Sequence, residues 1–120
     1  MTAPAVAPAS ATAAQERALD AIGDRSRRDI LRRLRRGPLA VSQLAEHLPV
    51  TRPAVSQHLK VLLEAGLVAF DRDGTRNVYR LDPRGAETVR EWTDALWGDA
   101  LDRYASRAEQ RAQDGHGTLI

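Results

Sequence analysis

The chain has 120 residues and a formal net charge of +2; 42% of its residues are hydrophobic, 28% charged and only 4% aromatic, a balance that fits one globular domain with a core of Leu, Val, Ile and Ala. There is no cysteine, which excludes a disulfide framework, a thiolate nucleophile and any Cys-based metal site. No apolar run is long enough to cross a bilayer, and the N-terminus lacks the basic and apolar stretches of a secretory signal, so no membrane partner and a cytoplasmic location are expected.

Residues 1–14 are uncharged and rich in Ala, Pro, Thr and Ser. With so little bulky apolar surface to offset their ordering entropy, they are expected to be a disordered arm. A first helix is expected over 15–22, with Ala18, Leu19 and Ile22 on one side and Gly23 ending it. Asp24 is a good N-cap for a second helix over 25–36, whose Ile30, Leu31 and Leu34 have helical spacing and which Gly37-Pro38 stops. A short helix over 41–47 follows, then the turn Leu48-Pro49-Val50. Thr51 caps the next helical segment, with Pro53 in the first turn, where no amide donor is needed, and Gly66 as a left-handed C-cap.

The period then changes. Residues 67–70 and 77–81 carry β-branched and aromatic side chains, and Asp73-Gly74 between them is a hairpin turn signal. Asp82-Pro83 opens a long last helix over 83–111, with the stripe Val89, Trp92, Leu96, Leu101 and Tyr104 and with Trp97 beside it. Residues 113–120 read as a flexible tail, leaving one domain over 15–112. The fold class is mainly α with a small β-hairpin, and a helix-turn-helix followed at once by a hairpin is the outline of a winged helix.

Charge is unevenly placed. Arg25, Arg27, Arg28, Arg32, Arg33, Arg35, Arg36, Arg52 and Lys60 face only Asp29 and Glu46 in the same stretch, whereas acids outnumber bases in the last helix. One surface is thereby suited to a polyanion. On a helix starting at Thr51, with about 100° per residue, Val55, Leu59, Leu62 and Leu63 cluster inward. Pro53, Ser56, Gln57 and Lys60 point away. Gln57 can bond an adenine edge in two places, while Arg52 and Lys60 suit phosphate oxygens or guanine. Such a polar face alone is also that of any amphipathic helix. The hairpin adds Arg72, Thr75 and Arg76, placed to follow a phosphate strand or enter a minor groove.

Gly23-Asp24-Arg25-Ser26-Arg27-Arg28-Asp29-Ile30-Leu31, Val41-Ser42-Gln43-Leu44-Ala45, Pro53-Ala54-Val55-Ser56-Gln57-His58-Leu59-Lys60-Val61-Leu62, Ala65-Gly66-Leu67-Val68 and Asn77-Val78-Tyr79-Arg80-Leu81-Asp82 together resemble the ArsR family of winged-helix repressors. The resemblance covers about the middle half of the chain and is most specific in the recognition-helix motif. It implies that Ser56, Gln57 and His58 belong to a DNA-reading helix. It also implies a homodimer on double-stranded DNA, paired through the first and last helices, here Ala18, Ile22, Val89, Trp92, Leu96, Leu101 and Tyr104.

Family members often sense metals, but this sequence departs from both familiar arrangements. It has no Cys, and its last helix carries Asp94, Asp99 and Asp102 without the accompanying His. His47, His58 and His116 are scattered and share no ligand spacing, so no metal and no cofactor is expected; the effector is unassigned. No Ser, His and acid arrangement and no phosphate-cradling Gly-rich loop speaks for an enzyme. The alternative from another class is a winged helix that docks proteins without reading DNA, a role that has no need for the Arg-rich second helix and wing.

Overall fold

The computed structural model describes residues 11–118, with side chains described for residues 11–114; most of the expected N-terminal arm and the end of the tail lie outside these. Residues 11–90 form one compact unit, and the chain from residue 91 belongs to another. In the first unit α1 (Ala13–Ile22), α2 (Arg25–Leu34), β1 (Leu39–Ala40), α3 (Val41–His47), α4 (Arg52–Glu64), β2 (Val68–Asp73) and β3 (Arg76–Leu81) precede α5, which spans Pro83–Thr118 and so runs on into the second.

α1 begins before residue 15 because Thr12 and Gln15 form a capping box. The Thr12 hydroxyl accepts the Gln15 N–H at 3.1 Å, and the Gln15 side-chain oxygen accepts the Thr12 N–H at 2.9 Å. That Thr-x-x-Gln spacing is a legible start signal. α2 ends at Leu34, before the expected Arg36.

The core is aliphatic. Ala18, Ala21, Ile30, Leu34, Leu44, Val55, Leu59, Leu62, Leu67 and Val68 form a single buried cluster. α4 lies at its centre and packs against α1, α2, α3 and β2. Ala18 and Ala21 are completely buried; having only methyl side chains, they let helices approach closely.

α4 ends in a Schellman motif. Gly66, at φ +75°, donates to the Leu63 carbonyl, and Leu67 donates to that of Leu62, both at 3.0 Å. The 6→1 bond joins two residues that are both in the core, the hydrophobic contact that accompanies this motif. The helix stop therefore also aims the chain into β2.

β2 and β3 pair antiparallel from Val68↔Leu81 to Asp73↔Arg76. The two turn residues are thus Gly74 and Thr75, and Asp73 is the last residue of its strand, one position on from the Asp73-Gly74 turn expected from sequence. Gly74 has φ +65°, and among the described residues no non-glycine residue has a positive φ. A left-handed residue only at the first turn position is the II′ arrangement, which matches the twist of paired strands. β1, too short to show a pattern, adds a third strand through Leu39↔Tyr79 and Ala40↔Val78, giving the order β1-β3-β2.

Asp82 caps α5. Its carboxylate accepts the Arg84 N–H at 3.0 Å and the Arg84 guanidinium at 2.8 Å, and its own N–H donates to the Leu67 carbonyl at 3.0 Å. The Arg84 side chain, aided by the backbone bond, holds this carboxyl below the usual aspartate range. Gly85 lies where α5 crosses the α4–β2 junction. A Cβ there would stand 2.5 Å from the Gly66 carbonyl oxygen and 2.8 Å from the Leu67 Cα. Beyond residue 90, α5 continues past the Arg111 end expected from sequence, and Leu96, Trp97, Leu101 and Tyr104 on it are exposed.

Two glycines of α5 should respond to alanine with opposite signs. Gly85→Ala overpacks backbone against backbone and is expected to lower stability by about 1–3 kcal/mol, despite the helix propensity of alanine. Gly98→Ala meets nothing within 4 Å and should raise stability by roughly 0.5–1 kcal/mol. Urea titrations of both variants check this; equal effects would remove the close approach at Gly85.

Candidate nucleic-acid interface

α4 starts where Thr51 accepts the Ala54 N–H at 3.3 Å through its hydroxyl, with Pro53 in the first turn. Its inner face is fixed: Val55, Leu59 and Leu62 are each at most 1% exposed. The opposite face carries Arg52, Pro53, Ser56, Gln57 and Lys60, all exposed. The backbone of this helix is held by the core, so its outer polar groups have fixed positions and an approachable surface.

His58 behaves differently from its neighbours. Its imidazole is half-buried, with Nδ1 3.9 Å from a carboxylate oxygen of Asp24. Asp24 is the N-cap of α2, accepting the Arg27 N–H at 3.0 Å, and that bond, with the Arg27 charge adding to it, holds its carboxyl below the usual range. His58 thus faces the protein's own second helix.

The hairpin register separates its arginines. Residues directly opposite share a face, so Arg72 lies with Phe70, Asn77 and Tyr79, while Arg76 and Arg80 lie with Asp71 and Asp73. Phe70 and Tyr79 meet in a tilted arrangement, with ring centroids 5.5 Å apart and planes at 46°. Arg80 pairs with Asp71 at 3.0 Å and Arg76 approaches Asp73 at 3.9 Å. Arg72 has no carboxylate partner among the described residues, and Thr75 is exposed at the tip.

Two arginines of the basic second helix serve another purpose. Arg27 Nε donates to the Ala21 carbonyl at 2.8 Å, and Arg28 donates to that of Ile22 at 2.9 Å. α1 has no basic residue in its last turn, so its open carbonyls take donors from the next helix. Sequence reasoning counted both among the free cations; that missing last-turn base was the signal available. Arg32 pairs with Asp29 at 2.7 Å.

The residues expected to pair subunits divide as well. Ala18 has no exposed surface, because α1 turns its small face into the protomer's own core; it has nothing to offer a partner. Ile22 and Val89 are half-buried against that core. Trp92 is half-buried, and Leu96, Leu101 and Tyr104 are 46%, 55% and 68% exposed. Among the described residues no group of three His, Asp or Glu side chains could hold a metal ion, and no helix is long and apolar enough to cross a membrane.

Known proteins agree with this architecture. Residues 24–69 match the model of the family described as "Bacterial regulatory protein, arsR family". The HTH-type transcriptional regulator Rv2034 of Mycobacterium tuberculosis is 50% identical over 99 residues, which cover 82% of this chain and 92% of that protein. An ArsR-like transcriptional regulator from Rhodococcus sp. RHA1 superposes with a TM-score of 0.67 at 30% identity, covering 82% of this chain and 92% of that one. The solution structure of a homodimeric winged helix-turn-helix DNA-binding domain from Mycobacterium bovis, described as a possible ArsR-family regulator, gives a TM-score of 0.56 at 27% identity, covering 80% and 81%. This chain therefore belongs to the arsR family of bacterial regulatory proteins and is a winged helix-turn-helix transcriptional regulator, not an enzyme.

Proposed function

We propose that the protein binds a palindromic operator in duplex DNA as a homodimer and represses transcription by occupying it. The observation that carries this reading is the exposed outer face of α4, with Ser56, Gln57 and Lys60 on a helix whose opposite face is locked into the core. Such a helix enters the major groove with its N-terminal residues toward the base edges. Gln57 and Ser56 read bases; Arg52 and Lys60 hold phosphates; the wing follows the adjacent backbone, mainly through Arg72. His58 positions the helix from behind. Repression is the family's mode of action, and an operator-bound protein of this kind works in the bacterial cytoplasm.

Pairing is assigned to α5. Leu96, Trp97, Leu101 and Tyr104 leave about half or more of their surface exposed, and large aromatics each bury on the order of 150–250 Å² when covered. An open apolar strip of that kind marks an interface. A two-fold pair would place its α4 helices in successive major grooves, about 34–36 Å apart.

Selection of bound sequences from random duplex DNA tests the reading as a whole: a two-fold symmetric consensus is expected, and recovery without any consensus would sink it. Gln57→Ala should cost about 1–3 kcal/mol and relax one base position, whereas Lys60→Ala should weaken all sequences alike. If Gln57→Ala left affinity and base preference intact, the docking face would be wrong.

The wing arginines should differ. Arg72→Gln is expected to flatten the dependence of log affinity on log salt by about one unit, the value of one phosphate contact. Arg76→Gln, whose side chain is near Asp73, should change it less. Equal slopes in wild type and Arg72→Gln would take the hairpin off the DNA.

For the dimer, Trp92→Arg with Leu96→Arg should give a folded monomer that binds the operator weakly. Sedimentation of the wild type as a monomer at tens of micromolar, or of the double variant as a dimer, would remove α5 from the interface.

A further inference from the structure

The C-terminal end of α2 borders a cleft that the α4 face and the wing leave unused. Two adjoining depressions of about 320 Å³ each meet there, and both are lined by Arg33, Arg36 and His47. Pro38 and Leu39 wall one, and Pro49 lies in the other. The cleft therefore has a cationic rim and an apolar wall.

Asp29 and Arg32 also line the second depression. The one carboxylate of α2, Asp29, is taken by Arg32 at 2.7 Å. Neither Arg33 nor Arg36 has an ion-pair partner among the described residues, and Glu46, next to His47 in the chain, has none either. Arg33 lies in the last turn of α2 and Arg36 in the turn just beyond it, yet both line the cleft, where like charges repel. The negative end of the helix dipole accounts for a cation there. It does not account for two guanidinium groups and an imidazole gathered around a concave, partly apolar wall.

We propose that this α2–α3 cleft is a phosphate-binding site for a small phosphomonoester. The planar forks of Arg33 and Arg36 match the oxygens of a phosphate, His47 supplies a further donor, and Pro38, Leu39 and Pro49 cover the organic part. The site is also placed to regulate. His47 ends α3, and α3 packs on α4, so a ligand bridging α2 and the end of α3 acts on the support of the DNA-facing helix. A backbone phosphate of flanking DNA carries the same chemistry; the apolar side chains of Pro38, Leu39 and Pro49 beside the cations favour a ligand with an organic part.

The test has two arms. In the first, thermal unfolding is followed with phenyl phosphate and inorganic phosphate against chloride at matched ionic strength. Phenyl phosphate should raise the Tm of the wild type by roughly 4 °C or more at high occupancy, and should leave Arg33→Gln/Arg36→Gln unshifted. Circular dichroism establishes that the double variant is folded; if it is not, Arg36→Gln and His47→Ala separately should each reduce the shift. In the second arm the salt dependence of duplex binding is compared. An unchanged slope in the double variant, with the phosphate response lost, places a free ligand in the cleft. A slope flattened by about two units, with no Tm response in the wild type, identifies the phosphate as that of DNA. A double variant indistinguishable from wild type in both arms overturns the site. The first arm does not depend on DNA recognition by α4, which the wild-type duplex binding reports separately.

Discussion

Burial of one side of α4 governs most of what this protein does. Val55, Leu59 and Leu62 are sealed against α1, α2, α3 and the start of β2. Truncating a buried Leu in such a position costs about 2–5 kcal/mol, a large part of the 5–15 kcal/mol by which a domain is stable. The helix therefore cannot roll, and the residues between its anchors, Ser56, Gln57 and Lys60, are held outward at fixed azimuths. Specific reading of base edges needs that rigidity, because an amide that can bond two atoms of one base in only one geometry is useless on a loose support.

The same helix sets the rest of the chain. Its Schellman stop sends Leu67 and Val68 into the core, which fixes which face of the hairpin is inward and so which face each wing arginine occupies. A one-residue slip would exchange the faces. Leu67 in turn accepts the N–H of Asp82, and Gly85 approaches the Gly66 carbonyl. The start of α5 is thus tied to the end of α4.

Electrostatics is finer-grained than the arginine count implies. Arg27 and Arg28 close α1, Arg32 is paired with Asp29, and Arg80 with Asp71. These interactions lie near the surface, where an ion pair contributes about 0–1 kcal/mol; their effect is to decide which cations stay available. Among the described residues Arg52 and Lys60 remain without a carboxylate partner on α4, Arg72 on the hairpin, and Arg33 and Arg36 at the α2–α3 cleft.

The sequence by itself determined the order of the helices, the boundaries of α3 and α4, the caps at Asp24, Thr51 and Gly66, and the hairpin, because each is written in local chemistry: a side-chain acceptor, a ring that needs no donor, a residue free to take positive φ, a change of period from helix to strand. It determined the outward set on α4 for the same reason, since helical spacing alone separates Val55 and Leu59 from Ser56 and Gln57. Tertiary structure decided the rest. β1 exists only because β3 is there to pair with it. Ala18 is core because α1 packs its small side onto the body, although its spacing equally allowed an outward interface. Arg27 and Arg28 turn to α1 because that helix end has no donors of its own, and His58 turns to Asp24 because two helix ends meet there. Which partner a side chain finds depends on residues distant in sequence, and that information is present only once the chain has folded.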